Sequence, residues 1–430
     1  MSSGAVMAER TEHSQPRVMK FGGTSVGDLD RIRKVASRVE QAVTAGEKVV
    51  VTVSAMGRTT DRLLGLAREI APRPSRREVD VLLSTGEQQT IALLALALHE
   101  RGLSARSFTG AQAGFLTDAQ HGHARIITVD PQRVREALVE VDVAIIAGFQ
   151  GVTKDGDITT LGRGGSDTTA VAMAAALGAE TCEIYTDTDG IYTTDPHLLP
   201  SATKLDSIDY DEMLELASQG AKVLHPTSVW YARRYGVKVH VRSSFSHVTG
   251  TIVTDLKSAA EGNMISQRPV TGVALDLNHA RIDLHTLPDR PGVAGRIFNA
   301  LGRAGVSVDM IIQGVKGAGD SRQQMAFIVK MDAVDEALEA LAPVLAEMGA
   351  QAEVGDGVAK LSIVGIAIGS TPGIAATMFE AVASSGANIE MITTSEVRIS
   401  VLIPAERAED ALRAVHKAFG LDRDGDVAVA

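Results

Sequence analysis

The sequence of 430 residues contains a single cysteine, Cys182. One cysteine excludes an intramolecular disulfide and a tetrahedral cysteine metal site, and it is typical of a protein from a reducing, cytoplasmic setting. Basic residues are also fewer than acidic ones: the sequence has 42 Lys and Arg against 53 Asp and Glu, which gives a net charge of −11. This balance argues against nucleic acid or an anionic membrane as the main partner.

Long apolar runs are missing as well. The longest is IALLALAL, residues 91–98, which is too short to span a bilayer and therefore predicts a buried helix. Residues 1–16 are polar and predict a disordered extension, not a signal peptide. No histidine pair has metal-ligand spacing and no Ser-His-Asp arrangement is visible, so we expect no protein metal site.

Strand-like and helix-like segments alternate over the first 250 residues. VVVTVSA (49–55) and VAIIAGF (143–149) are β-branched apolar runs, as expected for strands buried on both faces. Helical patterns such as LDRIRKVASRVEQAV lie between the strands. The alternation predicts an α/β fold with a mostly parallel open sheet, whose ligands bind beyond the carboxyl ends of the strands.

The last 160 residues contain an internal repeat. The segment RPGVAGRIFNALGRAGVSVDMII, from Arg290, resembles TPGIAATMFEAVASSGANIEMIT, from Thr371, at a constant offset of 81 residues. Such a repeat predicts a duplicated small domain. The stretch DLKSAAEGNMISQ interrupts the pattern and places the domain boundary near residues 255–268.

Two glycine-rich motifs carry candidate chemistry. In VMKFGGTSVGD, Lys20 precedes Gly22 and Gly23, and a lysine beside paired glycines at the start of a helix can hold a phosphate. In TTLGRGGSDTTA, Arg163 precedes two glycines at a helix start, which favours a carboxylate or phosphate site. The alternatives are a surface lysine beside an ordinary turn, and helix capping by Ser166 or Asp167.

Four further motifs permit both structural and functional readings. SAMGRTTD supplies hydroxyls from Ser54 and Thr60, or only a polar turn with a helix cap. STGEQ places Glu87 before an apolar helix, where it complements the helix dipole or takes the ammonium group of an amino acid. EIYTDTDGIYTTDP fits a nucleotide loop or an Asp-Gly turn better than a calcium loop. GAKVLHP contributes a second lysine, Lys222.

Taken in order, these motifs resemble the aspartate kinases of the amino-acid kinase superfamily. The motifs that carry the resemblance are KFGGTS (20–25), SAMG (54–57), TGE (85–87), FTGAQAG (108–114), AGFQG (147–151), TTLGRGGSDTTA (159–170), YTDTDGIYTTDP (185–196), GAKVLHP (220–226) and SEVRISVLI (395–403). The resemblance implies transfer of the ATP γ-phosphoryl group to L-aspartate, with Mg²⁺ on the nucleotide, as a step toward lysine, threonine and methionine.

The resemblance also implies site residues. The catalytic residues are Lys20, Asp167 and Lys222. The ATP-binding residues are Lys20, Phe21, Gly22, Gly23, Ser25, Thr186, Asp187, Tyr192, Asp195, Lys222 and Val223. The aspartate-binding residues are Ser54, Thr60, Glu87, Arg163, Gly164 and Ser166.

The repeated units resemble ACT domains with a ferredoxin-like βαββαβ fold. The resemblance implies a three-layer catalytic domain (17–258), a linker (259–268) and a regulatory region (269–430), in which the first ACT domain (about 279–345) is inserted into the second (about 269–278 plus 352–425). It implies inhibition by lysine and/or threonine. The implied effector contacts are Asp289, Val306, Asp309, Gln313, Asn388, Ile389, Ser395 and Glu396.

The assembly implied is a homo-oligomer, or a hetero-oligomer with a shorter regulatory chain started at Met264 and joined through ACT domains. We expect no nucleic-acid or membrane partner and a cytoplasmic location. Two alternatives remain: another small-molecule kinase of the superfamily, or a non-catalytic amino-acid sensor. The presence of Lys20, Asp167 and Lys222 argues against the sensor.

Overall fold

The computed structural model describes residues 15–221, 223–256, 269–314, 322–366 and 368–422, without the side chains of residues 322 and 356. Lys222, Met264, the first fourteen residues and the predicted linker lie outside the described residues. The described chain divides into two compact units. The first takes residues 15–191, 205–213 and 223–256; the second takes 192–204, 214–221 and the residues from 269 on.

The first unit alternates strands and helices along the chain. Its strands are β1 (Arg17–Phe21), β2 (Val49–Val53), β3 (Ala105–Phe108), β4 (Phe115–Thr117), β5 (Ile126–Val129), β6 (Val143–Ala147), β7 (Gln150–Val152), β8 (Ile158–Thr160), β9 (Thr181–Thr186), β10 (Ser207–Asp209), β11 (Lys238–Ser243) and β12 (Thr251–Thr254). Its helices are α1 (Leu29–Thr44), α2 (Thr59–Ile70), α3 (Arg76–His99), α4 (Gln132–Glu140), α5 (Gly165–Leu177), α6 (Tyr210–Ser218, whose last residues belong to the second unit) and α7 (Pro226–Tyr235).

The main sheet of this unit has the strand order β10-β12-β11-β9-β1-β2-β6-β3. Its described pairs are parallel except β11 with β12, which confirms the predicted mostly parallel sheet. Side chains of a strand alternate between the two faces. Met19 and Phe21 pack in the core formed with α1 and α3, so Lys20 points to the opposite face, where α5 packs on β1, β2 and β9.

Helix α3 is longer than its apolar run indicated. It extends from Arg76 to His99, so Glu87 lies in its middle and the reading of Glu87 as a first-turn acid is wrong. Ser75 is the N-cap, with a non-helical ψ of 123°, and the charged residues Arg76, Arg77 and Glu78 are already helical ahead of the apolar run. By length and composition α3 could cross a membrane, but half of its apolar window is buried inside the protein, as in a core helix.

A smaller sheet, β5-β4-β7-β8, lies in the same unit. Its strands are three or four residues long, too short for a clear alternating pattern, and the sequence analysis did not predict it. β7 and β8 pair as a hairpin, Gln150 opposite Thr160. This hairpin carries the chain from the end of β6 to the start of α5.

The second unit is built on one antiparallel sheet, β14-β15-β13-β16-β18-β17. Its strands are β13 (Gly272–Pro288), β14 (Asp309–Gln313), β15 (Arg322–Lys330), β16 (Gln351–Val364), β17 (Met391–Thr394) and β18 (Arg398–Pro404), and its helices are α8 (Val293–Arg303), α9 (Val334–Met348), α10 (Ile374–Ser384) and α11 (Ala408–Ala418). The two long central strands each serve both halves: the first part of β13 pairs with the last part of β16, and the second part of β13 also pairs with β15.

The second unit also includes two segments that precede the repeat in sequence. Thr193 shares a 2.8 Å hydrogen bond with His416 Nε2 on α11, and Gln219 Oε1 accepts one of 3.2 Å from Ser362 on β16. All four side chains are buried. Because buried polar groups that are paired are costly to separate, these bonds hold both segments to the sheet.

Candidate functional site

A cavity of about 300 Å³ opens in the first unit, beyond the carboxyl ends of β1, β2 and β6. Five segments line it, and each follows a strand or belongs to a helix named above. The lining residues are Lys20, Gly22, Gly23, Ser54, Ala55, Gly57, Thr60, Glu87, Phe149 and the run from Gly162 to Asp167. This is the edge of an α/β sheet at which ligands bind.

The central contact of the cavity is an ion pair between Lys20 Nζ and Asp167 Oδ1. Both residues are 8% exposed. Lys20 lies on the α5 face of β1, and Asp167 lies in the first turn of α5, so strand alternation and the helix start together bring them into contact. The two residues predicted to act together are therefore in contact, and the orienting role of Asp167 stays a prediction.

Glu87 forms part of the wall from α3 and is 3% exposed. Its Oε1 accepts a 3.0 Å hydrogen bond from the Ala55 backbone amide, while its Oε2 has no hydrogen-bond partner among the described residues. Burial raises the pKa of Glu87 to about 7. A buried carboxylate oxygen without a partner needs a cationic or hydrogen-bonding ligand, because leaving it unpaired is costly.

Glycines bring the backbone close to the cavity. Gly164 has φ of 72°, and a Cβ there would lie 2.1 Å from the Cβ of His225, so no other residue fits. A Cβ on Gly148 would lie 2.8 Å from the Ser166 side chain. Gly164, and not Ser166 or Asp167, is the N-cap of α5, and no side chain caps the helix. The capping reading of those two residues is therefore wrong, and both side chains remain available to the cavity.

Phe149, Ala55, Gly57 and Gly162 also line the cavity, although they were not among the predicted site residues. Phe149 has φ of 70°, an unusual conformation for a bulky residue. Its backbone amide is held by Thr169 Oγ1 at 3.1 Å. The AGFQG motif was the available signal, since it directly follows a buried strand.

Other predicted residues divide between the cavity and the core. Ser54, Thr60, Arg163, Gly164 and Ser166 line the cavity with Glu87. Thr60 lies in the first turn of α2, and the N-cap of that helix is Arg58, so Thr60 does not supply the helix cap of the alternative interpretation of SAMGRTTD.

Phe21 and Ser25 are predicted ATP-binding residues whose side chains are buried. Phe21 stacks on Tyr185 with ring centroids 4.6 Å apart. Ser25 Oγ lies 2.6 Å from Ser244 Oγ. Only the backbones of these two residues remain for a nucleotide.

The remaining predicted ATP-binding residues fall in different places. Thr186 is the last residue of β9 in the first unit, and Asp187 follows it. Thr186 Oγ1 donates a 3.1 Å hydrogen bond to the Asp187 carboxylate. Tyr192 and Asp195 belong to the second unit. Val223 lies in the turn before α7. The pocket predicted from these residues stays a prediction.

The predicted effector residues of the first repeat form two sets of contacts. Gln323 donates to Asp289 Oδ1, and Gln313 Nε2 donates to Gln323 Oε1, so Gln323, which the sequence analysis missed, joins the two predicted residues. Asp309 accepts a 2.6 Å hydrogen bond from Lys360 Nζ instead. Val306 is buried after α8.

The predicted effector residues of the second repeat lie around β17. Asn388, Ser395 and Glu396 are exposed and Ile389 is half-buried. The Ser395 amide donates to Arg398 O at 2.7 Å, which closes the turn between β17 and β18. These positions stay predicted effector contacts.

No group of three or more His, Cys, Asp or Glu residues with metal-binding geometry occurs among the described residues. The Asp187–Gly190 stretch follows β9, and Asp189 accepts a 2.7 Å hydrogen bond from Ser246 Oγ. Cys182 is fully buried, and burial raises the pKa of its thiol, which fits an inert cysteine.

Comparisons with known proteins agree with this architecture. The amino acid kinase family model matches residues 15–243, and ACT domain models match residues 282–341 and 361–419. An aspartokinase of Thermus thermophilus is 60% identical over 406 residues, which are 94% of this chain and 99% of that protein.

Two solved structures of Escherichia coli aspartokinase III are also similar. The complex with aspartate and ADP, described as the R-state, has a TM-score of 0.77 at 28% identity. The complex with lysine and aspartate, described as the T-state, has a TM-score of 0.72 at 28% identity. Each match covers 94% of this chain and 99% of the other. With an amino acid kinase unit, two ACT repeats and full-length relatives of one activity, the chain belongs to the aspartate kinase family.

Proposed function

We propose that this aspartate kinase binds L-aspartate in the cavity of its first unit, between Glu87 and Arg163. The reaction is that of the family: the γ-phosphoryl group of ATP moves to the side-chain carboxylate of aspartate, giving 4-phospho-L-aspartate and ADP. The observation that carries the proposal is the unpartnered, buried Oε2 of Glu87 in the cavity that the Lys20–Asp167 pair also lines.

Each wall of the cavity matches one group of the substrate. Glu87 would pair with the α-ammonium group, and Arg163 with the α-carboxylate, for which a guanidinium fork is well suited. Ser54, Thr60, Ser166 and the Gly164 backbone complete the contacts. This leaves the side-chain carboxylate directed toward Lys20.

Phosphoryl transfer depends mainly on positioning and charge stabilisation. An oxygen of the side-chain carboxylate attacks the γ-phosphorus, the bond from phosphorus to the bridging oxygen breaks, and ADP leaves with that electron pair. Lys20 neutralises charge on the transferred group, and Asp167 fixes the direction of the lysine ammonium. Lys222 is proposed to act on the nucleotide phosphates.

The nucleotide is proposed to lie along Gly22–Gly23 and the loop after β9. Gly22 and Gly23 line the cavity without side chains, which allows phosphate oxygens to approach the backbone. Thr186, Asp187, Tyr192, Asp195 and Val223 complete the ATP set. Mg²⁺ carried by the nucleotide phosphates and water would offset the negative charge of the phosphate groups.

The ACT repeats are proposed to sense lysine and/or threonine and to join chains into oligomers. A similar enzyme has been solved with lysine, and the polar side chains of Asp289, Gln313 and Gln323 offer hydrogen-bonding groups for a small amino acid. A shorter companion chain starting near Met264, the domain limits at 17–258 and 269–430, and a cytoplasmic location belong to the same proposal.

The direct test is ATP-dependent acyl-phosphate formation, trapped with hydroxylamine, on a panel of acids. The panel contains L-aspartate, N-acetyl-L-aspartate, succinate and L-glutamate. We expect product with L-aspartate and little with N-acetyl-L-aspartate or succinate, because both lack the ammonium group. Equal rates with succinate would contradict the role of Glu87. Activity with none of the acids would favour the non-catalytic sensor.

A further inference from the structure

Asp80 is a fully buried carboxylate of α3 that the proposed chemistry does not use. Its Oδ1 accepts a 2.6 Å hydrogen bond from Thr160 Oγ1 on β8. Its Oδ2 accepts from the Gly122 amide at 3.0 Å and lies 2.9 Å from His121 Nδ1. One side chain therefore joins three segments of the first unit: α3, the end of β8 and the loop at 121–123.

These partners lie next to the segment that carries Arg163. Thr160 ends β8, three residues before Arg163, and its carbonyl accepts a 2.9 Å bond from the Ala124 amide. Gly162 has φ of 74°, and a Cβ there would lie 2.7 Å from His123 Nδ1. The loop at 121–123 thus packs against the backbone one residue before Arg163.

The same helix carries Glu87, another residue that lines the cavity. Asp80, Ser84 and Glu87 are spaced i, i+4 and i+7, so they share one face of α3. Ser84 is tied to the smaller sheet, because its carbonyl accepts a 2.9 Å bond from Gln150 Nε2 on β7. Seven residues after Asp80, Glu87 reaches the cavity.

We propose that Asp80 is a positioning residue that fixes the separation of Glu87 and Arg163, and so selects the spacing between the ammonium and carboxylate groups of the amino-acid substrate. This inference rests on the proposed binding mode of aspartate. Asp80 contacts no substrate itself. The buried carboxylate of Asp80 holds its three hydrogen-bonding groups in one arrangement, and removal of the carboxylate leaves these three groups without that partner.

The expected signature is a change in aspartate binding without a matching change in ATP binding. A shift of about 1 Å in a positioning group can cost up to about 10²-fold. For Asp80→Ala in the full-length chain, we expect the KM for aspartate to rise about 10-fold or more, with the KM for ATP within about two-fold of wild type.

Two further variants separate positioning from a general loss of fold. Asp80→Asn keeps an acceptor for Gly122 and an amide that can donate to Thr160, so it should recover most of the aspartate affinity. Thr160→Val removes one donor at nearly constant volume and should raise the KM for aspartate in the same direction as Asp80→Ala, by less.

Asp118→Ala is the matched control. Asp118 lies near the same loop, but its carboxylate accepts only from the nearby Gln120 and Arg125 amides in the described contacts. It should leave both KM values unchanged.

The hydroxylamine assay gives the KM values of each variant, and a parallel measurement of melting temperature reports its stability. Together they test the positioning role of Asp80. A lower melting temperature with wild-type KM for aspartate in both Asp80→Ala and Thr160→Val would overturn the inference, as would equal increases in both KM values. Should Asp80→Ala fail to fold, Thr160→Val and Asp80→Asn carry the test. If the wild-type chain forms no acyl phosphate with aspartate, the proposed function fails instead, so the two failures are distinguishable.

Discussion

Lys20 and Lys360 each pair with an aspartate, but their surroundings differ. Lys20 meets Asp167 on the wall of a cavity, beside Gly22 and Gly23. Lys360 is 2% exposed in the middle of the antiparallel sheet and lies 2.6 Å from Asp309. Burial lowers the pKa of Lys360, and Asp309 opposes that shift.

A lysine–aspartate pair does not by itself determine the role of the lysine. Where glycines and a cavity leave room for a ligand, the ammonium group is available to a transferring phosphate. Where the lysine lies within a sheet, with strands on both sides and no cavity, the same kind of pair links β14 to β16 and leaves no room for a ligand. We therefore expect loss of Lys20 to affect turnover and loss of Lys360 to affect stability.

The largest expected effect is that of Lys20→Met. Removing a group that stabilises developing charge costs about 10²–10³-fold in kcat in other enzymes, and we expect a loss of about 10³-fold here. Aspartate affinity, measured by isothermal titration without ATP, should change only a few-fold. Turnover near that of the wild type would remove Lys20 from the mechanism.

The next effect concerns the ionisation of Glu87. Because burial raises its pKa to about 7, the free enzyme holds a neutral carboxyl below that pH and a carboxylate above it. The value of kcat/KM for aspartate should therefore fall as pH decreases through about 7. In Glu87→Gln this step should disappear, with KM raised about 10- to 100-fold. An identical pH profile in the wild type and in Glu87→Gln would contradict the assignment of this ionisation to Glu87.

For Lys360→Met, we expect unchanged kcat and a lower melting temperature. The loss leaves the half-exposed Asp309 carboxylate without its partner, at a cost of about 1–3 kcal/mol. The double variant Lys360→Met/Asp309→Asn should recover part of this loss, since it removes the unpaired charge as well. A melting temperature equal to wild type in Lys360→Met would show that the pair does not stabilise the sheet.

The smallest effect is expected for Gln313→Ala. It removes one link of the Asp289–Gln323–Gln313 set, worth about 1 kcal/mol for a neutral hydrogen bond. The concentration of lysine or threonine that halves the rate should rise about five- to ten-fold. Gln324→Ala, the exposed neighbour on β15, is the control. Equal inhibition curves for both variants would argue against this pocket.

Much of the fold followed from local patterns. The runs at 49–53 and 143–147 are strands buried on both faces, as predicted, and the repeat offset identified the duplicated units. The small sheet was missed because strands of three or four residues carry too little periodicity. The start of α3 was missed because its first three residues are charged and Ser84, Thr85 and Gly86 interrupt its apolar pattern, and so the position of Glu87 within its helix was misread.

The candidate site was predictable in part. Lys20 and Arg163 stand in glycine-rich motifs at a strand end and a helix start, whereas Glu87 lies in the middle of α3 and was identified through the STGEQ motif. Asp80 and Gln323 were not predictable, because each acts through partners distant in sequence, such as Thr160 for Asp80. Which side chains meet across such distances depends on the packing of the smaller sheet and of the long central strands.

Binding of aspartate in the cavity between Glu87 and Arg163 is the claim from which the other predictions about the site follow, and a single titration tests it. Isothermal titration of L-aspartate into the wild-type chain and into Arg163→Gln compares the cavity with and without its guanidinium. We predict saturable binding to wild type and affinity at least about 10-fold weaker in the variant. Equal affinity in both would contradict the claim and place the aspartate site elsewhere.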